Sequence, residues 1–237
     1  MKVSGMIRWR NAALQPPVNS IVESIKNAVV RMLGLALAML LSACATDQVH
    51  PTTQILNISL EPRILKETGI AFITPTSVTG QEEDKQALAL AFTEALKKAR
   101  PNLHIVSLPE TLSAVNRAGL ASEYRKMFED YRMTGIFSRD TLQKVYRITG
   151  ARYLAHLKLS GFRQESRDRL GFIGLRLMET KTTYMRVYLQ IWDGENGSIA
   201  WEGAQELTSS QDSVTEDFIS FKVAVEQSAN GIIPNLP

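Results

Sequence analysis

The chain of 237 residues holds a single cysteine, Cys44, and three histidines, His50, His104 and His156. One cysteine cannot close an internal disulfide, nor supply a metal site of the repeated-Cys type. The histidines lack the His-x-x-x-His or His-Glu-x-x-His spacing that brings two imidazoles onto one helix face around a metal. No Gly-x-Ser-x-Gly elbow, phosphate-binding loop or Gly-x-Gly-x-x-Gly turn occurs, and Gly171-Phe172-Ile173-Gly174 alone is too common a pattern to signify phosphate or RNA clamping. Glu82, Glu83 and Asp84 precede a helical run, where negative charge meets the positive end of the helix dipole. No base, nucleophile and orienting group assemble into a constellation, so the sequence predicts a non-enzymatic protein with no metal and no cofactor. The one residue whose chemistry can be named is Cys44, through the nucleophilicity of its sulfur.

The residues leading to that sulfur have a three-part design. Met32 to Leu41 are ten consecutive apolar or small residues, preceded by Lys26 and Arg31 and followed by Ser42 and Ala43. Cations, a short apolar run and small residues are the pattern of a secretory signal. A membrane span needs roughly 20 apolar residues at ~1.5 Å rise each, and Arg31 interrupts the run too early for that. No other stretch approaches the length, which argues against a polytopic membrane protein. Residues 1–43 are therefore expected to be a signal peptide. Its first 25 residues are long for a charged n-region, which leaves initiation nearer Met32 open.

Leu41-Ser42-Ala43-Cys44 resembles the lipobox of bacterial lipoproteins. The resemblance implies a diacylglyceryl thioether on Cys44, cleavage before it and acylation of the new amino terminus, with Leu41, Ser42 and Ala43 forming the processing site. Each buried CH₂ contributes about 0.8 kcal/mol, so two or three chains hold a protein to a membrane nearly permanently. Ala45 stands where enteric lipoproteins kept at the inner membrane carry aspartate, which implies the outer membrane, facing the periplasm.

Residues 1–43 contain Lys2, Arg8, Arg10, Lys26 and Arg31 against Glu23 alone; setting them aside leaves 22 basic and 23 acidic side chains of the chain's 27 and 24. The mature part is close to neutral, so the net +3 of the whole chain gives no support for a nucleic-acid partner.

Residues 44–66, with Pro51, Pro62 and Thr- and Gln-rich sequence, read as a lipidated cysteine and flexible tether ending in a weak strand. Residues 67–237 read as one periplasmic domain. Gly69 to Pro75 is a short apolar run closed by proline, suited to a buried strand. Leu88, Ala91, Phe92, Ala95 and Leu96 recur at helical spacing before Pro101. A short strand over Leu103–Leu108 leads into Ser107-Leu108-Pro109-Glu110, a capping-box pattern. Helical segments follow, broken at Gly119 and Gly135, capped again at Ser138 and closed by Gly150. Tyr153–Leu159 alternates as a half-buried strand, Tyr184–Trp192 and Ser198–Leu207 make a hairpin about Asp193–Gly197, and a last helix is expected over Val214–Ala229 with Phe218, Phe221, Val225 and Ala229 on one side. The order predicts an α/β fold: a single layered domain, a mixed β-sheet with helices packed on it.

Three segments in that order resemble the periplasmic α/β domain shared by the curli secretion lipoprotein, the N-terminal domain of the Tol-system propeller protein and the lipoprotein activators of penicillin-binding proteins. They are Ile70-Ala71-Phe72-Ile73-Thr74-Pro75, the junction Thr149-Gly150-Ala151-Arg152-Tyr153-Leu154, and Val187–Asp193 with Asn196-Gly197-Ser198-Ile199-Ala200-Trp201. The resemblance implies a protein-binding module of the envelope, an accessory or regulator of a cell-wall synthesis or export assembly. The alternative it raises is an oligomeric outer-membrane secretion component like the curli exporter. Gly161–Thr183, the one candidate for a membrane hairpin, is a charge cluster followed by an apolar patch rather than an alternating strand, and reads better as a mobile loop. Its Leu170, Phe172, Ile173 and Leu175, together with Tyr131, are the expected docking residues for an envelope protein.

Overall fold

A computed structural model describes residues 18–42, 48–172, 175–213 and 218–237, with side chains omitted at 18–21, 35–42, 168–172, 175–178 and 212–213. Two units are described separately. The first contains helix α1, Val18–Ser42, which covers the apolar run. No helix among the described residues is long and apolar enough to cross a membrane.

The second unit is an α/β domain on one mixed sheet. Strand β1 (Gln48–Asn57) is followed by helix α2 (Pro62–Thr68), strands β2 (Ile70–Phe72) and β3 (Thr76–Ser77), helix α3 (Glu82–Ala99) and strand β4 (Ile105–Val106). Helices α4 (Leu108–Arg117), α5 (Ala121–Thr134) and α6 (Arg139–Thr149) come next, then the long strands β5 (Tyr153–Phe172), β6 (Leu175–Asp193) and β7 (Ile199–Ser213), and helix α7 (Phe221–Ile232). The strands lie in the order β1-β7-β6-β5-β2-β4, with β3 beside β5. Around β2 the pairing is parallel, and from β5 to β1 it is antiparallel.

Local signals set most boundaries. In α4, Ser107 N–H donates to Glu110 Oε2 at 2.7 Å, the reciprocal half of the capping box. The Ser107 hydroxyl, donating to the same oxygen at 2.6 Å, and that N–H hold the Glu110 carboxyl below its ordinary pKa. Helix α6 ends at Gly150 with φ 71°, and the β6–β7 turn passes through Gly197 with φ 79°, both left-handed positions that a side chain would strain. Arg152, at the junction of α6 and β5, ties that junction to the β6–β7 turn. Its Nη2 donates to Asp193 Oδ2 at 2.7 Å and its Nε to Oδ1 at 3.1 Å, while Asp193 also accepts from Glu195 N–H. The fork satisfies a carboxylate that is otherwise buried, and it raises the Arg152 pKa.

Two cores flank the sheet. On one face α3 and α7 cover Ile70, Phe72, Tyr153, Leu157, Val187, Leu189 and Trp201. On the other, α4 to α6 cover Ala71, Ile73, Leu154 and Trp192. The second layer covers the parallel strands and the adjoining end of β6 at Trp192, and goes no farther: Lys158, Arg186 and Glu206, farther along β5, β6 and β7, are exposed.

Two expectations are corrected and one is sharpened. Of the stretch expected as a tether ending in a weak strand, residues 48–66 hold ordered structure: β1 pairs ten residues with β7, and α2 buries Leu65. Gly161–Thr183 is no loop; β5 and β6 stay paired through Phe172 and Leu175, with register shifts at Leu159/Gly161 and near Leu170. The last helix starts at Phe221, where Ser220 Oγ accepts from Val223 N–H; residues 214–217 lie outside the described residues.

Candidate functional site

The residues singled out by sequence separate into three places. Leu41 and Ser42 end α1, whereas Ala43 and Cys44 lie outside the described residues. Leu170, Phe172 and Leu175 come together at the end of the β5–β6 hairpin, where Phe172 pairs with Leu175 and Leu170 with Met178; Ile173 lies outside the described residues. Tyr131 is elsewhere.

The hairpin end is the tip of an arm. All four antiparallel strands reach the level where Gln48 pairs with Ser210, Ser210 with Thr182 and Thr182 with Glu165. Strand β7 leaves at Ser213, opposite Glu179, and β5 with β6 continue. From Glu165 to Phe172 the arm runs a further seven residues, about 23 Å of strand. Its base is braced on one face by the segment before α7. Gln164 Nε2 donates to Ile219 O at 3.0 Å, the Phe162 and Phe221 rings meet edge to face at 5.1 Å, and Lys181 Nζ lies 5.6 Å from the Phe218 ring centre. The other face is polar, with Thr182 bonded to Ser210 and Arg163 lying over the Tyr184 ring at 4.8 Å. The arm's base is thus held from one side, and β5 and β6 run on past the end of β7.

Tyr131 is not a docking residue as expected: it is 6% exposed. Helix α5 turns Tyr124, Met127 and Tyr131 inward, at the i, i+3, i+7 spacing of one helix face, because Leu154, His156 and Trp192 of the sheet lie beneath. Tyr131 stacks on Phe137 at 4.1 Å and meets His156 edge to face at 4.8 Å; Phe137 in turn meets Trp192 at 5.1 Å. The Tyr131 hydroxyl donates to Gln190 Oε1 at 3.1 Å, and Gln190 Nε2 donates to Glu202 Oε2 at 2.6 Å. Burial raises the Tyr131 pKa, with the Glu202 charge adding to it.

This aromatic cluster escaped the sequence reading, which took the alternation of Tyr153–Leu159 as a strand half open to solvent. His156 sits on the side expected to be wet and is fully buried, with Nε2 3.3 Å from Thr76 Oγ1. Burial lowers its pKa to about 3, so the ring is neutral and closed off from proton exchange with a substrate. Tyr124 is held similarly: its hydroxyl accepts from Thr74 N–H at 2.9 Å, and burial pushes its pKa up to about 12. The cluster locks helix to sheet. His50 and His104 are exposed, and no group of three His, Cys, Asp or Glu side chains that could hold a metal occurs among the described residues. A groove of about 620 Å³ between α3 and α4, lined by Leu90, Thr93, Leu108 and Leu112, is largely apolar and carries its charged groups at the rim.

No family model matches the chain, and no curated protein does. Among solved structures it is similar to a PelC dodecamer from Paraburkholderia phytofirmans, at 10% identity and TM-score 0.38 over 81% of this chain and 94% of that one. It is also similar to the lipoprotein GNA1162 from Neisseria meningitidis, at 13% identity and TM-score 0.36 over 69% and 96%. Likenesses at these values assign the chain neither a family nor an activity.

Proposed function

We propose that this chain is a non-enzymatic, lipid-anchored module on the periplasmic side of the outer membrane. Cys44 carries the lipid, and the β5–β6 arm docks another envelope protein, as an accessory or regulator of a cell-wall synthesis or export assembly. The observation that carries this reading is the sheet register. β1 opens at Gln48 at the arm end of the sheet, and residues 45–47 lie between it and Cys44, four steps of chain or about 13 Å at full extension. The apolar sequence Leu170–Leu175 belongs to the hairpin that extends from the same end of the sheet as Gln48. Crosslinking in living cells with photoreactive side chains at Phe172 and Arg167, and at buried Tyr131 as control, tests it. The arm probes are expected to capture one envelope protein in common and the Tyr131 probe nothing; no envelope protein at either arm probe removes the docking claim.

A second reading, an exporter-like ring, draws support from one feature: Gly161–Thr183 is a paired hairpin, the form a membrane-inserting element takes. Between Ser210 and Ala229 the described residues hold the end of β7 and most of α7, not a second hairpin. Rings seen by electron microscopy, or conductance in vesicles, would favour the exporter over the docking module.

A further inference from the structure

Strand β1 is an outer edge of the sheet. It pairs with β7 at all ten positions without a register shift, and every residue in it is exposed. Long edge strands are ordinarily guarded against further pairing by charges, bulges or shortness. Gln48–Asn57 contains no Lys, Arg, Asp or Glu, and its one guard is Pro51. Val49, Ile55 and Leu56 stand between 39% and 58% exposed.

The free backbone groups can be located from the ladder. Ile58 N–H donates to Ala200 O at 3.0 Å, one step beyond the Asn57–Trp201 pair. Hydrogen-bonded and non-bonded pairs alternate along an antiparallel ladder. The even-numbered residues of β1 therefore bond β7, and Val49, Pro51, Thr53 and Ile55 turn their backbone groups outward. Pro51, which has no N–H to donate, falls where the domain's own sheet does not need one.

We propose that β1 pairs antiparallel with β1 of a second copy of this chain, about a two-fold axis at Thr52, joining two sheets into one. In that register Val49 of each copy faces Ile55 of the other, Gln54 faces His50 and Thr52 faces itself. The outward N–H groups of Val49, Thr53 and Ile55 then meet carbonyls across the axis. Cross-strand apolar pairs stabilise such a join, and like charges opposite one another would oppose it. A foreign strand is chosen by charges or side-chain pockets, and β1 presents neither. Val49 and Ile55 are instead spaced to meet each other across a two-fold, with Leu56 opposite Gln48, and the strand's lack of charge lets it meet its own copy. The contact is isologous and closes both β1 edges at once, so it stops at two copies. The opposite edge, β4, is two residues long and offers little for further growth.

The test uses the full-length protein in its membrane, with the unsubstituted chain as baseline. Residues facing each other in a non-hydrogen-bonded antiparallel pair have Cα atoms about 4.5 Å apart, within disulfide reach. Under mild oxidation Thr52→Cys is expected to give a disulfide-linked dimer at a yield about tenfold above Thr53→Cys or Ser210→Cys, whose side chains do not face their own copies. Ile55→Lys, added to Thr52→Cys, sets a cation against Val49 twice and should cut that yield severalfold while the thermal melt stays cooperative. Thr52→Cys linking no better than Thr53→Cys, linking instead to a different polypeptide, or linking undiminished beside Ile55→Lys in a folded protein would each overturn the proposal.

Discussion

The two halves of the sheet are built to opposite rules. Around β2 the strands are two or three residues long, parallel and covered on both faces, and every residue of β2 is buried. From β6 to β1 the strands run ten to nineteen residues, antiparallel, with β1 exposed along its whole length. Parallel strands need helical crossovers that cover both faces, whereas antiparallel strands join by tight turns and can leave a face wet. The covered half is therefore where stability concentrates, and the open half is where a partner can be met without unfolding anything. If that division holds, substitutions in the first half should move stability, and changes to the arm should move partner capture alone.

The largest effect is expected at Phe137, 2% exposed and in ring contact with Tyr131, His156, Phe128 and Trp192. Phe137→Ala should cost about 3–5 kcal/mol in urea unfolding, from lost burial plus the cavity left behind. A cost under about 1 kcal/mol would show that the cluster does not hold the helices to the sheet.

Next in size is a pH effect at His156. Its folded pKa of about 3 lies below the ordinary 6.5, so between those values the unfolded chain binds a proton that the folded one does not. Stability is thus complete above about pH 6.5 and falls as the pH drops toward 3. Between pH 7 and pH 5 the loss should be about 2 kcal/mol, and it should disappear in His156→Phe, as read from urea midpoints at the two pH values.

The sequence made the covered half legible and the open half largely opaque, for a physical reason. Helices and buried strands announce themselves by period, caps and glycines: Ser107 with Glu110, Gly135 and Gly150 all sit at the boundaries expected of them. Strand β1 has no buried face to impose a period, and its partner β7 lies at the far end of the chain, so its Thr, Gln and Pro residues read as a tether. In the arm, the charged run Arg163 to Arg169 reads as a loop until β6 is laid beside it. Tyr131 failed differently. Its helix was legible, but which face turns inward depends on where the sheet lies, and that is set by contacts far off in sequence.

A smaller effect is expected where the covered half begins its second layer. Ser107→Ala removes the α4 cap and should lower stability by about 1 kcal/mol, measured in the same urea titration. Smallest of all should be removal of the arm: replacing residues 165–182 with Asn-Gly joins Gln164 to Thr183, residues already paired, through a two-residue hairpin turn. Unfolding free energy should change by about 0.5 kcal/mol or less, since none of the described side chains it removes belongs to either core and the closing loop is shorter. Co-purification of whichever envelope protein the Phe172 and Arg167 probes capture in the intact chain should be lost. A large loss of stability would merge the two halves and break the comparison.

The role proposed for the open half depends on attachment at Cys44, and metabolic labelling with palmitate tests that attachment most directly. The wild-type chain should take up label and yield a mature protein whose first residue, by mass spectrometry, is the modified Cys44; Cys44→Ala should take up none and keep its leader. Label or cleavage persisting in Cys44→Ala, or an unlabelled wild-type chain, would contradict the account.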